Sequence, residues 1–309
     1  MMKIAFTSCV DALDDSEQNV WGRVAATEPD VLFLLGDTVY MDYGIFGERR
    51  LGWPRKASDE EFANTLYDRY RTQWSVMSFR ALLSRVKHVA LTWDDHDFAW
   101  NDSRGASTEK RRAVSPEKRQ ISRRLFEQFR QVLTSGAAAY PPIPSLAQLL
   151  EGPYVGIQSV VDIGNVRVVA LDGRSFREDP NDVPDAEMHG RAQRTWLAQQ
   201  LTGWQGIVVI GSGSVMSEGK ESWDRYIDYG WLLQKARRPT IVLTGDIHRN
   251  ATPAQHADLV WEVTSSGAAR PGIIGGVTGN FGVLTVGDNV QASLYSRADP
   301  DGKHFKLEF

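Results

Sequence analysis

One cysteine, Cys9, stands in 309 residues, so no internal disulfide framework can hold the chain together, and a reducing compartment suits it. No window approaches the roughly 18 apolar residues of a membrane-spanning helix. The opening run Met1-Met2-Lys3-Ile4-Ala5-Phe6-Thr7-Ser8-Cys9 is also too short for the apolar core of a secretion signal. A cytoplasmic protein with no membrane partner is expected. Positive charge is not in excess either: a net charge of -4 and a pI near 5.9 argue against a protein dedicated to binding nucleic acid or an anionic surface. An anionic substrate would have to be attracted locally. There is no internal repeat, and the loop-like stretches Asp42 to Lys56 and Tyr140 to Pro153 do not read as domain linkers. One domain over residues 1–309 is expected.

What is present is an alternation of short apolar runs with longer helical patterns. Lys3 to Phe6, Val31 to Leu35, Val86 to Thr92, Val166 to Leu171, Ile207 to Ile210 and Thr240 to Leu243 read as buried strands. Ser16 to Thr27, behind an Asp15 cap, Asp59 to Leu83, Ser115 to Leu133, Arg191 to Leu201 and Trp223 to Ala236 read as helices. Two hairpins are expected, one turning at Ile163-Gly164-Asn165 and one at Gly287-Asp288-Asn289. Hairpins beside crossovers imply mixed sheets, and the layered pattern predicts an α/β fold. Arg104 to Arg124 holds eight Lys or Arg against two Glu and reads as a solvated loop and helix face.

Ligands gather at the carboxyl ends of strands in α/β sheets. Here the runs end in Ser8-Cys9, Gly36-Asp37-Thr38-Val39-Tyr40, Trp93-Asp94-Asp95-His96-Asp97, Asp172-Gly173-Arg174, Gly211-Ser212-Gly213-Ser214 and Gly245-Asp246-Ile247-His248. One such aspartate usually closes a turn. Several packed together repel unless protonated, paired with arginine or neutralised by cations, and a bound metal pair resolves that most simply. Asp37 suits a carboxylate bridging two ions, and Asp246 and His248 would point the same way if the strand continued through Ile247. His88, His189, His256 and His304 read as surface or core residues. Tyr40 by itself reads as a packed aromatic and Cys9 as a small buried hydrophobe.

Gly36-Asp37, Asp95-His96 and Gly245-Asp246-Ile247-His248 resemble the motifs of calcineurin-like metallophosphoesterases, with Asp95 in place of the usual Asn. The closer resemblance is to the alkaline phosphatase D (PhoD-like) family. It runs through Ser8-Cys9, Gly36 to Tyr40, Thr92 to Asp97 with Asn101-Asp102, Leu171 to Arg174, Gly190, Gln193 and Trp196-Leu197. It continues through Trp223 to Tyr226, Gly245 to His248, Glu262 to Gly267 and Asn280-Phe281-Gly282. This resemblance implies a four-layer α/β/β/α sandwich with two mixed sheets, and metal-dependent hydrolysis of phosphate mono- or diesters by a metal-bound hydroxide. It also implies metal donors at Cys9, Asp37, Tyr40, Asp95, Asp246 and His248, with Fe3+ and Ca2+ as the ions and Zn2+ or Mn2+ as alternatives. Arg225 stands where the family usually has Gly, which bears on substrate preference.

His96 is expected to protonate the leaving group or orient phosphate, its ring held by a neighbouring aspartate. Asn101 could give an amide oxygen to calcium or bind phosphate. Arg174 either grips a phosphoryl group or pairs with a nearby aspartate. The rival readings are a hydrolase of non-phosphate esters or amides and a catalytically weak metal- or nucleotide-binding protein. A serine hydrolase is disfavoured, because Gly211-Ser212-Gly213-Ser214 is not a Gly-x-Ser-x-Gly elbow.

Overall fold

The computed structural model describes residues 1–42, 53–270 and 279–309. Among these, two six-stranded sheets form. The first holds β1 (Met2–Thr7), β2 (Val31–Leu35), β3 (His88–Thr92), β10 (Phe281–Val286), β11 (Val290–Tyr295) and β12 (Lys303–Leu307), in the order β12-β11-β10-β1-β2-β3. The second holds β4 (Ser159–Ile163), β5 (Val166–Ala170), β6 (Ile207–Ser212), β7 (Thr240–Thr244), β8 (Ala254–Ala257) and β9 (Val260–Thr264), in the order β4-β5-β6-β7-β9-β8. Both sheets are mixed: β1, β2 and β3 run parallel, as do β5, β6, β7 and β9, while hairpin partners pair antiparallel.

Alternation along each strand sorts side chains into separate apolar layers. Ile4, Phe6, Val31, Phe33 and Leu35 face Val168, Val209, Ile241 and Leu243 between the sheets. Ala5, Leu32 and Leu34 face outward into a core with α1 (Val20–Ala26), α2 (Asp59–Ser75), α3 (Met77–Leu83) and α5 (Pro116–Ser135). On the opposite side, Val169, Val208, Ile210 and Val242 pack with Leu197, Leu201 and Leu232 of α7 (Gly190–Thr202) and α8 (Ile227–Lys235). The expected four-layer α/β/β/α sandwich is the observed fold. The short helices α4 (Asp95–Phe98) and α6 (Leu146–Leu150) sit in connections. Among the described residues, no helix is long and apolar enough to cross a membrane.

Several boundaries differ from expectation. The helix read over Asp59 to Leu83 is two helices broken at the extended residue Val76, and the one read from Trp223 begins as a 3-10 turn, Trp223–Arg225. The first helix starts at Val20 behind Asn19, because Asp15 instead caps the turn before it, accepting from the N–H groups of Glu17 and Gln18. The Tyr140 to Pro153 stretch contains α6, while residues 43–52 of the other expected loop lie outside the described residues. The Arg104 to Arg124 segment is not simply a solvated face. Arg104 is buried on Asp179 and Glu221, and Lys118 is buried on the Ala57 carbonyl and Asp59.

Close approach of the sheets fixes one glycine. A Cβ on Gly211 would lie 2.0 Å from Cζ of Phe33, so β6 can pass the Phe33 ring only without a side chain. Gly211→Ala is expected to destabilise by about 1–3 kcal/mol through overpacking. It should read as a lower denaturant midpoint at unchanged slope, and an unchanged midpoint would show that the sheets can part at Phe33.

Candidate metal centre

The parallel strands of both sheets point their carboxyl ends at one region, and the chain turns sharply as it leaves them. Cys9, Asp37, Asp246 and His248 all have positive φ, of 56°, 49°, 71° and 54°. Such left-handed conformations are uncommon for residues other than glycine, and they cluster at functional sites. Gly36 precedes Asp37 at φ 91°, and a Cβ there would lie 2.6 Å from the Asp94 backbone nitrogen. Only glycine lets β2 end against the β3 loop.

Asp37 is the hub. Its Oδ2 lies 3.6 Å from the Cys9 thiol and 3.3 Å from the Tyr40 hydroxyl, and its Oδ1 accepts from the His96 N–H at 3.3 Å. The Ser266 hydroxyl donates to Cys9 Sγ at 3.1 Å. The Tyr40 ring packs against the His96 ring, 4.3 Å between centroids, and beneath the Arg270 guanidinium, 4.0 Å from the ring centroid. Donor atoms of Asp37, Asp95 and His96 lie within 4.8 Å of one another, as do those of Asp37, Asp94 and Asp246.

The structure thus brings Cys9, Asp37, Tyr40, Asp95, His96 and Asp246 together. His248 stands beside Tyr40, 6.4 Å between ring centroids, its backbone N–H on Ser266 Oγ and its Nδ1 facing the Arg270 carbonyl. The expected reason for its placement is corrected. Strand β7 stops at Thr244, and the left-handed turns at Asp246 and His248 replace an extended alternation. Asn101 is exposed, and its backbone N–H donates to Asp42. Arg174 does not face open solvent: it is fully buried, with Nε on Asp94 Oδ1 at 2.5 Å and Nη1 on Glu221 at 2.8 Å. Its contacts are therefore those of an arginine paired with acids.

Three participants were not singled out from sequence. Asp94 follows β3 directly, and its place at a strand end was the available signal. Ser266 lies within the Glu262 to Gly267 stretch of the family resemblance, which gives it no role of its own, and Asp42, which holds His96 Nδ1 at 2.5 Å, carries no signal. Of the histidines read as structural, His189 meets Asp228 at 3.0 Å, His256 bridges Tyr229 and Glu262, and His304 meets Ser293.

Electrostatics favour a cation at this place. Burial pushes the Asp37 carboxyl well above its usual range, aided by Cys9, Asp95 and Asp94 against the opposing His96. Burial, with Asp94 and Asp95 nearby, lifts Asp246 to about 7. Burial also acts on Asp95, but Arg174 and His96 outweigh it and hold that group low. Burial alone would lower the His96 pKa, yet Asp95, Asp42 and Asp37 raise it well above normal. Asp94 Oδ2 and Asp95 Oδ1 are buried without any hydrogen bond. Orphaned buried oxygens are rare, and these two lie among crowded carboxylates, so the residues present fit metal ions.

Comparisons with known proteins agree. Among solved structures the chain is similar to a purple acid phosphatase from yellow lupin (Lupinus luteus) seeds, with TM-score 0.52 and 11% identity, over 99% of this chain and 53% of that one. It thus spans about half the length of the lupin chain. It is also similar to GAP50, described as the anchor in the inner membrane complex of Plasmodium, with TM-score 0.52 and 10% identity, over 100% of this chain and 90% of that one. Both likenesses show the fold. No curated protein matches the sequence. The family model described as PhoD-like phosphatase matches residues 4–276, so this chain belongs to the PhoD-like phosphatase family, as a metal-dependent phosphoester hydrolase.

Proposed function

We propose that the chain hydrolyses phosphate monoesters and diesters at a centre whose metal donors are Cys9, Asp37, Tyr40, Asp95, Asp246 and His248, with Fe3+ and Ca2+ as the ions and Zn2+ or Mn2+ as alternatives. The observation that carries this reading is the pair of three-donor groups sharing Asp37. On the Oδ2 side of Asp37 a thiol and a phenol approach, a donor set suited to iron. The carboxylate-rich remainder suits a hard divalent cation. When bound, such ions lower the pKa of a water and neutralise charge on the phosphoryl oxygens.

The chain's own residues supply the rest. Asp42 takes His96 Nδ1, which fixes the ring and leaves Nε2 as the atom that delivers a proton to the departing alkoxide. Surrounding carboxylates keep that proton on His96. Asn101, anchored by its backbone to Asp42, offers its exposed amide to the phosphoryl group. Arg174 acts from behind by holding Asp94 in place. Residues 1–309 work as one catalytic domain because both sheets contribute donors, and a reducing compartment such as the cytoplasm keeps Cys9 a thiol.

The test is a metal analysis of protein purified aerobically without chelator, joined to a panel of phosphate and carboxylate esters. Iron with calcium and turnover on phosphate esters are expected. Turnover confined to carboxylate esters would overturn the reading. A visible charge-transfer band is also expected, since burial and Asp37 push the Tyr40 phenol well above its normal pKa and only a strongly acidic cation would ionise it. Tyr40→Phe should remove or shift that band. A band that ignores the substitution would return Tyr40 to the hydrophobic core.

A further inference from the structure

A cavity of about 280 Å³ lies beside the donor loops, and no residue given a role above lines it. It sits at the same end of the sandwich as the metal centre. Strand β10 runs antiparallel to β1, so Asn280, just before it, stands at the end where β1 delivers Cys9. Strand β11 finishes at this end and β12 starts there. The two spaces share a wall. Asn280 Nδ2 donates to the Ser266 carbonyl at 2.8 Å, while the Ser266 hydroxyl donates to Cys9 and accepts from the His248 N–H. Arg249, a lining residue, is the next residue after His248.

The polar groups of the lining divide into spent and unspent. The Asn250 amide is committed at both ends, to the Tyr295 carbonyl and the Ser265 hydroxyl, and the Asn280 amide nitrogen is committed to Ser266. The Ser296 hydroxyl accepts from the Asp299 N–H. Arg249 is exposed and has no ion pair or hydrogen bond among the described residues. Lys303 meets Asp299 only at 3.5 Å, with both side chains largely in solvent at 66% and 44% exposure. Two cations therefore face one carboxylate, over apolar surface from Leu294 and Phe305.

We propose that this cavity is a leaving-group subsite, and that it takes a phosphate ester whose leaving group carries a second anion, a carboxylate or a phosphate, on a short apolar linker. Arg249 grips that anion. The subsite rests on the phosphoesterase reading, and it makes the enzyme selective for doubly anionic esters despite the chain's net negative charge. An unpaired guanidinium is well suited to the task, since its planar fork meets either anion with two hydrogen bonds.

The experiment uses metal-loaded protein and phosphate monoesters of straight-chain hydroxy acids of increasing length, compared with the corresponding neutral amides. At one chain length the acid should show a KM about tenfold below that of the amide, the effect of one charge-assisted pair. Arg249→Ala should raise the KM for that acid about tenfold, leaving its kcat and the KM of the amide unchanged. Bisphosphates of the matching diols, run beside the acids, tell which anion is preferred. Equal KM for acids and amides at every length, or an equal rise for both in Arg249→Ala, would overturn the subsite while leaving the phosphoesterase intact. Protein that turns over neither series would remove the phosphoesterase reading, and the subsite with it.

Discussion

Replacing His96 by alanine is expected to lower kcat by a factor of roughly 100 to 10,000, the usual contribution of a positioned general acid, while bound metal per chain stays the same. The expectation rests on the division of labour around its ring. Nδ1 is committed to Asp42 at 2.5 Å, and the carboxylates of Asp95, Asp42 and Asp37 raise the imidazole pKa against the effect of burial. Removing such a group deprives the leaving oxygen of its proton and leaves the carboxylates at Asp37 and Asp246 in place. Asp37→Asn is the contrasting variant, because it weakens the hub common to both donor groups and should release metal. If His96→Ala also emptied the centre, His96 would be a metal ligand, as its place in the Asp37–Asp95–His96 group allows. Unchanged turnover with full metal would remove it from the mechanism.

Glu221→Ala should cost about 3–5 kcal/mol of stability, the range for stranding buried charges, although residue 221 has no donor in the metal centre. Arg104, Arg174 and Arg177 all converge on its carboxylate, the last two at 2.8 and 2.7 Å. These arginines are almost completely buried, so alanine would strand Arg177, whose one carboxylate partner among the described residues is Glu221, and would leave Arg104 and Arg174 each an acid short beside Asp179 and Asp94. Burial alone would raise the pKa of Glu221, but the three arginines outweigh it and hold the carboxyl well below its ordinary value of 4.5. A depressed carboxyl stabilises the fold fully above its unfolded pKa, and that contribution fades as pH falls toward the folded one. The stability gap between wild type and Glu221→Gln, which cannot titrate, should therefore be constant above about pH 4.5 and narrow below it. Equal unfolding midpoints for wild type and Glu221→Ala at neutral pH would mean that the arginines find other partners.

Much of the architecture was legible because burial leaves a local signature. Strand β2 is five consecutive apolar residues, all buried, and the expected and observed bounds coincide. Helix α5 announces itself through Ser115, which accepts from the Lys118 N–H, then Pro116 and the left-handed Gly136 at its end. Strands β8 and β12 left no such mark. Ala254–Ala257 and Lys303–Leu307 lie at sheet edges, where one side of the strand needs no apolar residue. In the centre, the aspartates and histidines at strand ends could be seen, but their partners could not. Arg174 looked equally suited to phosphate or to an acid, and the residue that decides its contacts, Glu221, lies 47 positions further on. The break at Val76 was hidden because the apolar spacing continues across it. The turn after β7 was misread because a left-handed aspartate has no local sequence signal.

That both sheets supply donors also sets a timetable for assembly. Asp37, Asp95 and His96 belong to an early stretch of the chain, and in the folded protein their donor atoms form one close group. Asp246, which completes the other group, is synthesised about 150 residues after Asp95. At translation rates of about 5–20 residues per second, that is an interval of roughly 8–30 seconds. A nascent chain thus carries Cys9, Asp37, Tyr40 and Asp95 well before Asp246 and His248 exist, in a cell where the first divalent ion to arrive need not be the right one. Strand β1 in turn waits for β10, the partner on its other edge from β2, until residue 286 is made, so the full donor set and the sheet that carries most of it are complete only near the end of synthesis.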